Sequence, residues 1–375
     1  MFPWNSPIFI IKKKSNKWRL LTDLRKVNAS MKPMGALQTG IPSPTTIPQN
    51  WHIVIIDLQD CFFNIPLHSL DQERLTFSLP CPNNIRPYKR YQWTVLPHGI
   101  MNSPTTCQYY VVKALEPVKK QFPNFLVIHY MDDVLFSAPS ILETQHMLDI
   151  AQLCFKNSGL IIAPEEIQTS TPYHYLGFVV NRQRITPQLT QIHTDKLSTL
   201  SDFQKILGAI NWIRPSLGID NYQLNNLFNT LKGDPDLNSP RSLSQEAREE
   251  LCLVQNKLQK QFLTRIKLDL SLELFILPAL HSPTGLLAQQ EHPVEWIYTC
   301  SREIKSLTPY LDLISLIIIN GRNRTKTLIG SDPDKIVIPI NKSQFENTLQ
   351  TSTNFQIAFL EYGVEIPFHY PSGKL

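Results

Sequence analysis

The stretch FLVIHYMDDVLF, Phe125–Phe136, is the most informative part of this chain. In it, two short apolar runs flank Tyr130-Met131-Asp132-Asp133, which is the pattern of two β-strands joined by a sharp turn. A third carboxylate, Asp57, ends another β-type apolar run that begins at Ile53. The sequence therefore predicts three acids at the ends of neighbouring strands.

Acids gathered in this way repel one another and gain by sharing a cation, so the pattern predicts a divalent-metal site for phosphate chemistry. Adjacent residues of a strand point to opposite faces of the sheet. We therefore expect Asp132 to be the principal ligand and Asp133 the secondary one, with Asp57 as their partner. The plain alternative is a solvated turn, because an Asp-Asp pair arises by chance in a chain of this length.

Composition sets wide limits on the class of protein. The 375 residues are enough for two or three domains, and 42% are hydrophobic, so a sizeable core is available. The formal net charge is only +5, so any surface for nucleic acid must be a local basic patch. The six cysteines have no CxxC spacing, which argues against a zinc site or a disulfide framework. Because no signal peptide or membrane span is evident, we expect a soluble protein that is not secreted.

The apolar patterns predict an α+β chain with at least three modules. Ser140 and Glu143 form a capping-box signature before one helix, and Gly159 suits the end of that helix. The predicted elements, in order, are a hairpin at residues 8–21, the Asp57 strand, helices at 102–122 and 140–158, a hairpin at 173–186, helices at about 188–199, 201–213 and 243–262, and a mixed α/β tail from about 268.

The helix predicted at residues 201–213 has two distinct faces. Ser201 and Gln204 suggest a capping box at its start. Its apolar stripe consists of Phe203, Ile206, Leu207 and Ile210. Gln204, Gly208 and Trp212 lie on a row roughly opposite that stripe. A mid-helix glycine costs about 1 kcal/mol relative to alanine, so this row predicts a face that something approaches closely.

Taken together and in this order, the motifs resemble retroviral reverse transcriptases, most closely the Pol proteins of betaretroviruses and K-type endogenous retroviruses. The similarity runs nearly end to end, and a collinear series is more specific than any single motif. The matching stretches are Asn5–Pro7 through Arg19, Leu21–Arg25, Ile56–Phe63, Leu96–Gly99, Asn102–Pro104, Tyr130–Asp133, Gln168–Pro172 and Asn211–Pro215.

The resemblance implies a right-hand polymerase fold of fingers, palm and thumb, followed by a mixed α/β connection subdomain. Fingers and palm would span residues 1–183, with the fingers truncated at the N-terminus, the helical thumb 184–262 and the connection subdomain 263–375. The implied activity is an RNA-directed DNA polymerase that uses an RNA or DNA template, a DNA or tRNA primer, dNTPs and two Mg²⁺ ions, for which Mn²⁺ can substitute. Asp57, Asp132 and Asp133 match the palm carboxylates, and the Leu58 backbone carbonyl would help to hold metal.

The resemblance also implies a site for the incoming dNTP. Its residues would be Lys13, Arg19, Asp60, Cys61, Phe62, His98 and Met131. Lys13 and Arg19 would contact the triphosphate, although a solvated charged turn is the alternative for residues 12–17. Phe62 would be an aromatic gate against a 2′-hydroxyl, with core packing beside Phe63 as the alternative. His98 stands where the family usually has glutamine, and its hydrogen-bonding geometry and charge differ from those of an amide.

The implied template–primer contacts lie at the end of the palm and in the thumb. These residues would be Arg25, Tyr130, Leu176, Gly177, Gln204, Gly208 and Trp212. The hairpin at 173–182 resembles the primer grip of the family, and a plain β-hairpin is the alternative. The row through Gly208 would follow the minor groove of the duplex, and helix–helix packing is the alternative.

Three hypotheses for function follow. The leading one is a polymerase-only Pol fragment, because the tail from about 268 offers no convincing acidic set for RNase H and no integrase or protease signature appears. It would act in the cytoplasm or in retrovirus-like particles, as a homodimer or with a longer Pol product as its partner. The second is an inactive endogenous-retroviral fragment that only binds nucleic acid or a partner subunit. The intact acids favour the enzyme, whereas His98 and the truncated fingers favour the inactive fragment. The third is a metal-binding α/β protein of another class.

Overall fold

The computed structural model describes residues 4–12, 16, 18–35, 37, 41–189, 197–220, 222–278, 282–299, 310–363 and 365–368, with only the backbone of Asn84. The chain forms two compact units. The first comprises Met1–Pro42 and Trp51–Ser170, and the second comprises Ser43–Asn50 and Thr171–Leu375. The subdomain boundaries at residues 183 and 262 remain predictions.

The first unit contains a three-stranded antiparallel sheet in the order β3-β7-β6, against which α3 and α4 pack. Its elements are β1 (Ile8–Lys12), β2 (Trp18–Thr22), α1 (Arg25–Ser30), β3 (His52–Asp57), α2 (Ser69–Gln72), β4 (Thr76–Leu79), β5 (Lys89–Gln92), α3 (Ser103–Gln121), β6 (Leu126–Tyr130), β7 (Asp133–Ala138) and α4 (Ile141–Asn157). Buried residues of the sheet and both helices form one apolar core. The sheet therefore gives the acids at its strand ends a rigid support.

Local signals in the first unit act as predicted. The β1–β2 pair confirms the hairpin at 8–21. Ser140 Oγ accepts a hydrogen bond from the Glu143 amide, and the Glu143 carboxylate accepts one from the Ser140 amide, which completes the capping box of α4. Gly159 follows the end of α4 with φ +73°, a conformation that favours glycine.

The described residues of the second unit form two sheets and a group of helices. Its elements are β8 (Tyr173–Tyr175), β9 (Phe178–Val180), β10 (Arg184–Pro187), α5 (Leu200–Ile213), α6 (Asn225–Asn229), α7 (Gln245–Lys260), β11 (Leu263–Thr264), β12 (Glu273–Leu277), β13 (Thr284–Gln289), β14 (His292–Ile297), α8 (Tyr310–Ile329), β15 (Lys335–Val337), α9 (Lys342–Thr351) and α10 (Thr353–Phe359). The sheets have the orders β11-β10-β9-β8 and β14-β13-β12-β15, and β15 runs parallel to its neighbour β12. One apolar core joins α5, α6 and α7, and another joins the second sheet to α8 and α10.

Two predictions about the second unit need correction. The helix predicted at about residues 188–199 is wrong at both ends, because residues 188–189 and 197–199 are not helical. Residues 190–196 lie outside the described residues. The capping box of α5 is formed by Thr199 and Asp202, not by Ser201 and Gln204.

Tertiary contacts decide where α5 begins. Thr199 is extended and bridges Pro240, and the Leu200 amide donates to the Ser239 carbonyl. The chain therefore enters the helix at Leu200, and a carboxylate at Asp202 caps better than an amide near the positive helix end. The predicted apolar stripe is confirmed, since Phe203, Leu207 and Ile210 are buried and Ile206 is partly buried.

No helix among the described residues is long and apolar enough to cross a membrane.

Candidate active site and nucleic-acid contacts

Strand pairing brings the three predicted acids together. Asp57 is the last residue of β3, Asp133 is the first of β7, and the two are direct partners in the antiparallel ladder. Asp132 occupies the turn between β6 and β7, where its carbonyl accepts a hydrogen bond of 3.0 Å from the Leu58 amide. Met131, the other turn residue, has φ +56° and so reverses the chain within two residues. The turn thus lets both aspartates of the pair lie near Asp57.

The electrostatics of the acids reflect burial and mutual repulsion. Burial, and then the charges of Asp132, Glu166 and Asp133 in that order, raise the pKa of Asp57 to about 7. Burial, followed by Asp132 and Glu166, raises the pKa of Asp133 to about 6. Asp132 is thus the strongest charged neighbour of Asp57. This is consistent with its predicted place as the principal ligand, which stays a prediction.

A fourth acid, Glu166, was missed by the sequence analysis. Residues 161–168 run along the free edge of β3, where the Ala163 amide donates to the Asp57 carbonyl at 2.9 Å. Glu166 lies in the short 3₁₀ turn of this segment, and its carboxyl group is one of the neighbours that raise the pKa of Asp57. The sequence signal was the pair Glu165-Glu166 shortly after an apolar run, which resembles the Asp132-Asp133 pattern.

The donor chemistry of the acids fits magnesium. Carboxylate and carbonyl oxygens are the ligands that Mg²⁺ prefers, and a cation would relieve the repulsion that raises the pKa of Asp57. In the described part of the chain, however, no three His, Cys, Asp or Glu side chains are already arranged around one point. The acids therefore form an anionic cluster whose side chains would have to converge on a cation.

Two of the predicted dNTP residues, Phe62 and His98, contact each other in the first unit. The rings of Phe62 and His98 lie 5.0 Å apart, and the ring of Phe63 contacts His98 edge-on at 4.8 Å. Phe62 is partly buried: one part of its side chain packs against the core, and the rest is accessible. Asp60 is exposed with φ +46° and begins the short helix that holds Phe62.

Of three other predicted dNTP residues, one is buried, one is half-buried and one lies outside the described residues. Cys61 is buried, with its sulfur 3.1 Å from that of Cys107, so its side chain belongs to the core. Arg19 lies half-buried on β2. Lys13 lies outside the described residues.

The predicted template–primer residues lie at three places, two in the first unit and one in the second. In the first unit, Tyr130 is half-buried at the end of β6. Arg25 is exposed and binds Asp23 through two hydrogen bonds of 2.9 and 2.7 Å, which hold the pKa of Asp23 at about 2. A phosphate would have to compete with that carboxylate for Arg25. The other residues lie in the second unit.

In the second unit, the predicted residues lie on α5 and in the β8–β9 hairpin, and Trp212 joins the two elements. Gln204, Gly208 and Trp212 are exposed, and a side-chain carbon added at Gly208 would meet nothing within 4 Å. Close helix packing therefore does not explain this glycine among the described residues. Leu176 and Gly177 form the two-residue turn between β8 and β9, and the Trp212 indole N–H donates to the Leu176 carbonyl at 2.8 Å.

Two family models match successive parts of this chain. Residues 11–180 match the family described as reverse transcriptase (RNA-dependent DNA polymerase), and residues 187–252 match the reverse transcriptase thumb domain. The chain thus belongs to the reverse transcriptases, with the palm and thumb of a polymerase.

The full chain also matches betaretroviral Gag-Pro-Pol polyproteins, and so it corresponds to a fragment of Pol. It is 48% identical over 375 residues to the polyprotein of simian retrovirus SRV-2, covering 100% of this chain and 21% of the polyprotein. It is 47% identical over 376 residues to that of sheep pulmonary adenomatosis virus, covering 99% and 22%. For mouse mammary tumor virus (strain BR6) the identity is 45% over 373 residues, covering 100% and 21%. The chain therefore spans about a fifth of the length of these relatives.

Residues 280–375 match a third family, described as an ERVK-8-like, RNaseH-like domain. The predicted absence of RNase H activity is therefore not confirmed. Two acids of this region are ion-paired with arginines, Glu295 with Arg324 at 2.7 Å and Asp332 with Arg322 at 2.8 Å. Glu273, which precedes the region, pairs with Lys335 at 3.8 Å.

Proposed function

We propose that this protein is an RNA-directed DNA polymerase that adds dNTPs to a primer by two-metal nucleotidyl transfer. The primer 3′-hydroxyl attacks the α-phosphorus in line, and pyrophosphate leaves. The observation that carries the proposal is the pairing of Asp57 with Asp133, with Asp132 in the adjoining turn, inside a reverse transcriptase domain. The right-hand layout with fingers and a connection subdomain is part of the same proposal.

In this proposal Asp57, Asp132, Asp133 and the Leu58 carbonyl hold two divalent cations, Mg²⁺ or Mn²⁺. When bound, such ions neutralise charge on the attacking and leaving oxygens. The acids bind and position, and none of them forms a covalent bond with substrate. Because they repel one another in the free protein, cation binding would also draw their side chains together.

The dNTP site would combine Lys13 and Arg19 at the triphosphate with Phe62 and His98 at the sugar. The contact between the rings of Phe62 and His98 supports this part, because it fixes both side chains at one place. Asp60, Cys61 and Met131 would contribute mainly through their backbone, since Cys61 is buried and Asp60 and Met131 have left-handed conformations.

Template and primer would be bound by Arg25, Tyr130, the Leu176–Gly177 turn and the exposed row of α5. The open space above Gly208 supports a duplex on this face, because a groove edge could approach the helix backbone there. Localisation in the cytoplasm or in retrovirus-like particles, and dimerisation with itself or with a longer Pol product, complete the proposal.

Primer extension on poly(rA)/oligo(dT) tests the proposal. Wild-type protein should extend the primer with Mg²⁺ and dTTP, whereas Asp132→Asn should still bind the duplex but lose at least about 100-fold in rate, because one metal-binding charge is gone. Binding without extension by the wild-type protein would favour the inactive fragment.

We also propose that residues 263–375 do not cleave RNA. The ion pairs of Glu273, Glu295 and Asp332 support this, because a carboxylate bound by a guanidinium or ammonium is a poorer metal ligand. Incubation with a labelled RNA–DNA hybrid and Mg²⁺ or Mn²⁺ should leave the RNA intact. Cleavage that persists in Asp132→Asn would refute this proposal.

A further inference from the structure

The Leu176–Gly177 turn is unusual because its first residue is leucine. Both turn residues have positive φ, +48° at Leu176 and +81° at Gly177, as the type I′ turn of a two-residue hairpin requires. Glycine and asparagine adopt this conformation readily, whereas leucine does so at a cost. Something outside the hairpin must therefore help to hold Leu176 in place.

Trp212 provides that support from α5. Its indole N–H, which can only donate, bonds to the Leu176 carbonyl at 2.8 Å. A side-chain carbon added at Gly177 would lie 3.1 Å from Trp212 Nε1 and 3.3 Å from Cδ1, so the indole rests directly on the glycine. On the other side of the turn, the Gln188 amide donates to the Gly177 carbonyl at 2.8 Å. Each carbonyl of the turn is thus held by a different partner.

Trp212 differs in this respect from Gly208, its neighbour on the same row. The space above Gly208 is open, whereas Trp212 is 37% exposed and covers the hairpin turn. Contact with the groove of a duplex would involve the exposed part of the ring and would not explain the position of the indole N–H. The hydrogen bond to Leu176 accounts for the nitrogen.

We infer that Trp212 is a positioning residue that fastens the Leu176–Gly177 turn to α5, and thereby sets where the hairpin holds the primer terminus. The statement about the primer rests on the proposed polymerase function, whereas the fastening itself does not. The inference distinguishes two parts of one side chain: the ring can face a duplex, and the N–H holds the hairpin.

Hydrogen exchange of the free protein, read by mass spectrometry, tests the fastening without any substrate. Trp212→Phe removes the donor and keeps an aromatic ring. The amides of β8 and β9 should then exchange roughly three- to ten-fold faster, the effect of losing one hydrogen bond. Gly208→Ala is the matched control on the same row and should not speed the exchange of β8 and β9. Unchanged exchange of β8 and β9 in Trp212→Phe would overturn the inference.

A rescue variant separates fastening from general damage. In the Trp212→Phe background, Leu176→Asn places a residue that tolerates positive φ in the turn. Protection of β8 and β9 should return towards that of the wild type. Failure of this rescue, with α5 itself still protected, would show that the conformation of Leu176 is not what Trp212 supports, and would overturn the inference.

Single-turnover primer extension then tests the consequence for the primer. Trp212→Phe should slow addition of the first nucleotide while the Kd for the duplex stays nearly constant, because the ring remains but the turn is loosened. A loss of affinity with an unchanged addition rate would instead assign Trp212 to the groove alone and overturn the positioning role. If wild-type protein does not extend primers at all, the proposed function fails, while the exchange result still decides the fastening.

Discussion

Replacing Gly208 by alanine should stabilise the protein and impair the proposed polymerase. Gly208 lies in the middle of α5, and an added Cβ meets nothing within 4 Å, so the methyl group causes no clash in the free protein. Alanine is favoured over glycine inside a helix by about 1 kcal/mol. For a unit of this size, that corresponds to a rise in Tm of about 2–4 °C. If a duplex groove approaches the same backbone, the methyl group should hinder it.

Two assays measure the expected gain in stability and the expected loss of polymerase function. Urea unfolding gives the change in the free energy of unfolding, and extension of a labelled primer in the presence of excess trap duplex gives processivity. We expect shorter products per binding event, with addition of the first nucleotide nearly unchanged. Because both effects come from one methyl group, they should appear together.

The double variant Gly208→Ala/Ala209→Gly is the matched control. Ala209 is exposed on the next position of α5, and its replacement by glycine cancels the gain in helix propensity. The double variant should unfold like the wild type and still show short products. A destabilised Gly208→Ala would contradict the open space above the glycine, and normal product lengths would contradict the groove interpretation.

Three further predictions concern other parts of the chain. Phe62→Val should raise ribonucleotide incorporation, because a smaller side chain leaves room for a 2′-hydroxyl; an unchanged ratio of dNTP to rNTP use in a competition assay would exclude the gate. Gly321→Ala should lower the free energy of unfolding by about 1–3 kcal/mol in urea, since the new Cβ would lie 2.5 Å from Leu274 Cδ2 in a packed core, and equal stability would show that this core yields easily. In metal-free protein, the raised pKa of Asp57, about 7 against an ordinary 3.8, means that the folded state binds the extra proton, so this group makes stability fall as pH rises from about 4 to about 7. Glu166→Gln removes one of the charges that raise the pKa of Asp57, so it should reduce that fall in stability. In the presence of a chelator, the wild type should lose more stability than the variant between about pH 5 and about pH 8. Parallel pH profiles of the two proteins would contradict this prediction.

Much of the candidate site could be predicted because its signals are local. The apolar runs around Asp132 and Asp133 specify two strands and a turn, and the Asp57 run specifies a third strand. Side-chain periodicity likewise placed Gly208 and Trp212 on the exposed face of α5. Such patterns depend on residues a few positions apart, and the backbone geometry of strands and helices converts them directly into faces.

Tertiary structure decided what no local pattern specifies. The α5 region carries two overlapping capping signatures, and the contact of Thr199 with Pro240 selects the earlier one. Glu166 joins the acids only because residues 161–168 pair with the edge of β3, and the Trp212 indole reaches Leu176 only because α5 packs beside the hairpin turn. The sequence by itself determined which residues are acidic, exposed or turn-forming. The pairing of segments far apart in the chain determined which of them meet, because that depends on the packing of whole elements rather than on their neighbours in sequence.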